Sequence, residues 1–397
     1  MARSTPALVE AAVLKWARES AGYSVDEAAK KLQAKPEKIE FWESGDKLPS
    51  IAKVRDMSAV YRRPIHLFFL DRPPVDPPVP HDFRRLPANG VTRYEPALRF
   101  QVRDAYERRQ VAIDLAAELD VKPAPFTPKT TLQANPEQTG QQIRRFLDVT
   151  IAEQKISHRT GDNYRLWRSK IEAKDILVFQ ITGLATKQML GMSLSFDILP
   201  VIGVNRKLKP NGRVFTLLHE FTHLMLRESG VCDLSEDHLQ SPREQRTEIF
   251  ANAVAAAALL PAPELLAEPV VTARGPGQHD WPNHELELLA AMFGVSEETI
   301  LRRLLTLDRT SRAFYQRKRA EYLARYKRIE EQEQEEAANT EFKRNRPREV
   351  LTDYGRPYTR LVLMNYAQDR ITLTDASSML RVKAPMVEKI EKMLLEQ

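Results

Sequence analysis

Two histidines four residues apart enclose a glutamate in the run His219-Glu220-Phe221-Thr222-His223. On a helix turning about 100° per residue, both imidazoles leave from one face and can hold one metal ion, with Glu220 beside the first and within reach of a water on that ion. Such an ion lowers the pKa of its water towards about 7, the carboxylate takes the proton as general base, and the hydroxide attacks a peptide carbonyl polarised by the same ion. The carboxylate then returns the proton to the leaving amine. The chemistry is peptide hydrolysis.

With eight histidines in 397 residues, the bare pattern arises by chance in roughly one such sequence in a hundred. Its flanks strengthen it: RVFTLLHEFTHLML is apolar at Phe215, Leu218, Phe221, Leu224 and Met225, as a buried amphipathic helix requires. The competing reading is a pair of ordinary core histidines. A catalytic zinc also needs a third protein ligand and an open fourth position. Asp233, Glu236, Asp237, His238, Glu244 and Glu248 follow downstream. Glu248 opens EIFANAVAAAALLP, whose small side chains let that helix pack closely on the first. Glu244 stands one turn earlier on the same face, so spacing leaves both open; without a metal it reads as a solvated helix-start carboxylate.

The elements that position these residues follow from pattern. Apolar residues at helical spacing mark helices at Pro96–Leu119, Gln141–Leu147, Trp167–Ile171, Arg213–Arg227 and Pro242–Leu260. Ile176–Phe179 and Leu199–Val204 read as strands of a small sheet, with Met192–Phe196 as a further strand at its edge. Glu285–Leu307 holds two helical patterns split by Gly294-Val295-Ser296, with Ser296 as N-cap; it looks like half a helix-turn-helix, and a simple packing unit is the plainer reading. Arg312–Glu336 is a long, highly charged helical stretch, and the run EEQEQEEAANTEFKRNR has no apolar face to bury and reads as a solvated helix or a flexible tether.

Three segments together, LPVIGVN, RVFTLLHEFTHLML and ExxAN followed by alanines and LLP, resemble the ImmA/IrrE family of metallo-endopeptidases over about Trp167–Pro263. The resemblance implies a zincin-like domain in which His219, His223 and Glu248 ligate Zn2+ (or Mn2+), Glu220 is the catalytic base and Asn252 supports the ligands. Phe221-Thr222 replaces a commoner small or Leu-Gly pair, and LLP lacks an expected Met. Residues Leu14–Leu70 resemble an XRE (Cro/repressor-like) helix-turn-helix. Ser24 and Glu27 form a capping box, Ile39 and Trp42 face the core, and Lys35, Glu37 and Lys38, with Glu40, face a major groove; Lys30, Lys31, Lys47 and Lys53 can meet phosphates.

Composition sets the outer limits. A 42% apolar, 29% charged chain with no long apolar run is that of a soluble globular protein rather than a membrane protein. Glu10, Lys15 and Arg18 interrupt the N-terminal segment where a secretory signal needs an apolar core, and Cys232, the single cysteine, excludes an internal disulfide and a cysteine-built zinc finger. A cytoplasmic location is expected. The net charge of +6 permits nucleic-acid binding without requiring it.

The expected fold is α+β and mostly helical. It comprises an all-α helix-turn-helix domain (1–70), a Pro-rich linker (71–95), a zinc peptidase domain (96–275), a helical module resembling a helix-turn-helix (276–330), a charged helix or linker (331–350) and a C-terminal helical module (351–397). The leading functional expectation is a DNA-associated zinc metallo-endopeptidase that cleaves a regulatory protein, a repressor by the family resemblance, with double-stranded DNA held through residues 14–70 and a homodimer as the usual state of such modules. The rival is a non-proteolytic regulator or antitoxin with a structural metal site, against which Glu220 argues, since a structural site needs no free base. A third reading is a latent peptidase covered by a flanking module or by the Asp71–Pro80 arm.

Overall fold

Residues 5–75, 81–82, 95–159, 161–232, 242–274, 280–338 and 345–395 are described by the structure, a computed structural model. It is α+β and mostly helical, and its chain divides into two units, 1–80 with 86–107 and 81–85 with 108–397.

The first unit is helical: α1 (Ala11–Ser20), α2 (Val25–Lys31), α3 (Pro36–Ser44) and α4 (Ile51–Tyr61), then a 3-10 turn at Ile65–Phe69 and the start of α5 (Pro96–Glu118). Ser24 caps α2 in a complete capping box with Glu27, and α3 starts with Pro36 at a position where no backbone N–H is needed. Leu14, Ala17, Ala28, Ile39, Val54, Met57 and Phe68 form its core. Arg18, buried there, donates to both oxygens of Glu43 at 2.7 and 2.8 Å.

The second unit is built around a five-stranded mixed sheet in the order β1-β5-β3-β4-β2. The strands are β1 (His81–Asp82), β2 (Leu177–Ile181), β3 (Gly191–Leu194), β4 (Val201–Asn205) and β5 (Gly230–Cys232). β2 and β4 run parallel in register Leu177↔Val201 to Ile181↔Asn205, and β3 runs antiparallel to both β4 and β5. The strand expected at the edge is therefore central: β5, three residues long, pairs with it on the far side, and so short a run gives no period to read.

Beside the sheet lie α6 (Pro136–Leu147), α7 (Ile151–Arg159), α8 (Asn163–Glu172), α9 (Pro210–Leu226) and α10 (Pro242–Leu259). From Thr216 to Met225 every residue of helix α9 is buried, polar ones included, because the helix is wrapped by α8, α10, β3 and β4. Helix α10 packs hardest on α6. At their crossing a Cβ on Gly140 would lie 2.7 Å from Ala258 N and 2.9 Å from the Ala257 side chain, so the close approach needs glycine on one helix and alanine on the other. Three buried donors satisfy the carbonyls that end α10: Arg144 donates to Ala258 O, Gln154 to Leu259 O and Arg303 to Leu260 O, at 2.8, 3.0 and 2.8 Å.

Short helices α11 (Ala262–Leu266) and α12 (Pro269–Thr272) lead to α13 (Asn283–Phe293) and α14 (Glu297–Thr306), whose Leu286, Leu289, Phe293, Ile300 and Leu304 enter the same core as α9 and α10. Ser296 caps α14 as expected. The long α15 (Arg312–Ala338) follows. The chain ends in α16 (Arg346–Tyr354), α17 (Arg356–Ala367), α18 (Leu373–Met379) and α19 (Val387–Leu395), with α16 against β2; Arg168 joins them by donating to Thr352 O and Val178 O at 2.6 and 2.7 Å. No described helix is long and apolar enough to cross a membrane.

Candidate metal centre

Helix α9 presents His219 and His223 from one face, and α10 brings Glu248 against them; side-chain exposures are 1%, 0% and 2%. The His219 and His223 Nε2 atoms are 3.1 Å apart, and each faces one oxygen of Glu248, at 3.2 and 3.1 Å. Ligand atoms bound to a tetrahedral zinc ion at about 2.0–2.1 Å must stand roughly 3.3 Å from one another, close to the spacing found. His219 Nδ1 lies 3.0 Å from Asn252 Oδ1. Because a carbonyl oxygen only accepts, that contact puts the proton on Nδ1 and leaves the Nε2 lone pair facing Glu248. Two imidazole nitrogens and a carboxylate so close together call for a cation between them.

The electrostatics agree. Burial disfavours a charge on His219, yet the Glu248 carboxylate outweighs it and raises the histidine's pKa. Burial likewise works against ionised Glu248, but His219 and His223 outweigh it and hold the carboxyl far below its usual range. Among the described residues, His219, His223 and Glu248 are the His, Cys, Asp and Glu side chains whose ligand atoms gather tightly enough to hold one ion. The donor set, two neutral nitrogens and a carboxylate, suits zinc.

Glu220, fully buried, lies against β3, where its carboxyl group meets the Cβ position of Gly191. Burial raises its pKa, with His223 and His219 pulling the other way and the Ser193 hydroxyl also lowering it. Ser193 is itself fully buried and forms no well-aligned hydrogen bond among the described residues, so its hydroxyl keeps bonding capacity beside that carboxylate. Gly191, two residues earlier on the same face of β3, lies against Glu220 Oε1 and Thr216. Neither Gly191 nor Ser193 stood out in the sequence, although a glycine inside a strand is a known sign of close backbone approach.

Of the ligands that spacing left open, Glu248 reaches the histidines and Glu244 does not join them. Glu244 is buried rather than solvated, because it lies on the face of α10 that also buries Thr247 and Glu248, while Pro242, Arg243, Gln245 and Arg246 stay exposed. Asp233, Glu236, Asp237 and His238 lie outside the described residues.

Residues 171–305 match the model of Peptidase_M78, the IrrE N-terminal-like domain. The match supports a metallopeptidase-type function. It takes in β2 to β5, α9 and α10, hence the whole metal centre, and runs beyond Pro263 into α14. A search of curated proteins gave no match to this chain.

In the first unit, Lys35 is the exposed N-cap of α3, and Glu37, Lys38, Glu40 and Phe41 are exposed along it, while Ile39 is buried and Trp42 half-buried. The Lys47 ammonium sits 4.8 Å from the centre of the Phe41 ring. The Lys53 ammonium donates to Leu32 O and Asp56, at 3.0 and 2.8 Å.

Proposed function

We propose that the chain is a zinc-dependent endopeptidase in which His219, His223 and Glu248 hold the ion, Glu220 is the general base, and the substrate is a regulatory protein. The observation that carries this reading is the pairing of a complete three-ligand set with a fourth carboxylate: Glu220, next in sequence to His219, lies against β3 and is not one of the three clustered ligands. A purely structural site has no use for such a group. A bound zinc ion would supply the Lewis acid that polarises the scissile carbonyl and acidifies a water. Glu220, its pKa raised by burial, accepts the water's proton and hands it to the departing amine. Asn252 keeps His219 in the tautomer that presents Nε2, and β3 keeps the Glu220 side chain from swinging aside.

The first unit serves, in this reading, to bring the peptidase to double-stranded DNA, with Lys35, Lys38 and Lys47 available for phosphates. The support is the capped α2, the short turn at 32–35 and the exposed α3. Glu37 and Glu40 offset the lysines on α3, so binding is expected to be weak, with a salt dependence set by the few lysines that meet phosphates.

The test is to measure bound metal in the purified protein, then incubate wild type and Glu220→Gln with repressor proteins encoded nearby, with and without DNA. A discrete fragment from wild type alone, with equal metal in both proteins, is the expected result. Absence of metal, or equal cleavage by both, refutes the peptidase assignment; a gel shift without cleavage transfers the function to DNA-bound regulation.

A further inference from the structure

The C-terminal helices repeat the local structure of the first unit. Moving along the chain by 348 residues lays Ser24 on Thr372, Ala28 on Ala376, Leu32 on Leu380, Lys35 on Lys383 and Ile39 on Val387. Ser24 and Glu27 close a capping box on α2, the Ser24 N–H donating to the Glu27 carboxylate at 2.7 Å and the Glu27 N–H to the Ser24 hydroxyl at 3.2 Å; Thr372 and Asp375 close the same box on α18, at 2.9 and 3.1 Å. Both helices are seven residues long and are capped by a leucine, Leu32 or Leu380. The next residue, Gln33 or Arg381, takes left-handed backbone at φ 51° or 50°, after which Ala34 N–H donates to Ala29 O at 2.9 Å and Val382 N–H to Ser377 O at 3.0 Å. Lys35 caps α3, and Lys383 caps the 3-10 turn Ala384–Met386 that runs into α19. Burial keeps the same phase, with Ala28, Leu32 and Ile39 buried in one copy and Ala376, Leu380 and Val387 in the other. The preceding helices also match: α1 ends with Tyr23 N–H on Arg18 O through left-handed Gly22, and α17 with Arg370 N–H on Asn365 O through left-handed Asp369.

Each copy is a helix followed by two more that meet across a fixed short turn, the arrangement that presents a last helix to a duplex groove. The copies differ in charge. Around α3, Lys35, Lys38 and Lys47 stand against Glu37, Glu40, Glu43 and Asp46, whereas along the second turn and α19 the exposed Arg381, Lys383, Lys389 and Lys392 stand against Glu388 and Glu391 alone. Lys389 and Lys392 are one turn apart on α19, and with Lys383 they enter no ion pair among the described residues. Exposed cations without a protein carboxylate to neutralise them suit phosphates, which release counterions on binding. We propose that residues 356–395 are a second nucleic-acid-binding element, which takes double-stranded DNA with α19 at the major groove and with Lys383, Lys389 and Lys392 on phosphates. The larger share of the chain's affinity for duplex then comes from its C-terminal end. This inference rests neither on the zinc chemistry nor on the DNA contact assigned to the first unit.

The full-length, zinc-loaded protein is titrated against a fluorescent duplex of mixed sequence over a range of salt, beside Lys383→Gln/Lys389→Gln/Lys392→Gln and Lys35→Gln/Lys38→Gln/Lys47→Gln. All six side chains are exposed, so the thermal midpoints are expected to stay together. Each lost phosphate contact removes about 0.9 from the slope of log K against log salt, so the C-terminal triple is expected to flatten that slope by about 2–3 and to weaken binding at least about tenfold, with smaller changes in the N-terminal triple. Unchanged slope and affinity in the C-terminal triple, or a wild type that binds no duplex, overturns the proposal. If the N-terminal triple alone loses binding, the contact belongs to the first unit and this inference falls while that one stands. A second arm needs no substitution: lysine acetylation of the wild-type protein is read by mass spectrometry with and without duplex. Protection of Lys383, Lys389 and Lys392 is the expected result. Undiminished labelling of these lysines in the duplex-bound protein overturns the proposal, as does protection that a protein substrate gives and duplex does not, which would make the surface a protein dock.

Discussion

Replacing Gly191 by alanine tests the positioning of the general base directly. The added Cβ would press on Glu220 Oε1, 2.6 Å from Thr216 Cγ2 and 2.9 Å from Glu220 Cδ. Carbon atoms in packed interiors sit about 3.5–4.0 Å apart, so relief needs a shift of roughly 1 Å. Thr216 and Glu220 stand one turn apart on α9 and press on the same point, so α9 must back away from β3 or the Glu220 side chain must swing out. Overpacking of this size costs about 1–3 kcal/mol, and a displacement of about 1 Å at a reacting group can cost about a hundredfold in rate. The three atoms nearest that Cβ belong to Glu220 and Thr216 and none to a ligand, so zinc content is expected to fall less than activity. Gly212→Ala is the control: it lies in α9, the helix that Gly191 packs against, and its Cβ would meet only Leu208, at 3.8 Å. The assay is kcat/KM with metal content and thermal midpoint on all three proteins. Gly191→Ala with full activity would show that the close packing of α9 on β3 does not set the position of Glu220.

Three further outcomes follow from the same structure. Asn252→Leu removes the acceptor for His219 Nδ1 and is expected to weaken zinc binding by about 10–100-fold in a competition with a chelator, with the metal-free thermal midpoint little changed; an unaltered affinity would mean that packing alone orients the ring. Glu137→Ala leaves Arg303, 2% exposed, without its carboxylate, and because Glu137 is itself partly exposed the cost falls at about 2–3 kcal/mol, below the range for a fully buried pair. Chemical denaturation should show that loss, and Glu137→Ala/Arg303→Met should recover part of it. Burial lowers the pKa of His158, so its neutral form favours folding above the unfolded value of about 6.5, and that contribution is lost as pH falls through the folded value. The thermal midpoint of wild type should therefore drop more steeply on acidification than that of His158→Gln; parallel curves would contradict this.

The centre was legible where it is local. A single helix carries His219, Glu220 and His223, and a period of four residues is enough to align the two imidazoles. Glu248 was not fixed by spacing, because Glu244 shares its face of α10; the packing of α10 on α9 is what brings the later carboxylate to the histidines. Gly191 and Ser193 were hidden for a similar reason, since their importance lies in a strand-to-helix contact across the fold. The central place of β3 was missed because its partner, Gly230–Cys232, is too short to leave a pattern. The helices of the first unit, by contrast, announced their own starts through Ser24, Glu27 and Pro36.

The metal centre and its support consist of two four-residue intervals, His219 to His223 on α9 and Glu248 to Asn252 on α10. Its geometry is therefore a matter of helical phase. Deleting one residue between Glu248 and Asn252 would turn one of them about 100° away from the histidines, whereas adding or removing residues between the two helices leaves each interval intact. Insertions and deletions should thus divide sharply along this chain. Those inside either interval abolish the centre, and those between the two helices leave its ligands in phase, so chain length is constrained within the helices and not in the sequence that joins them.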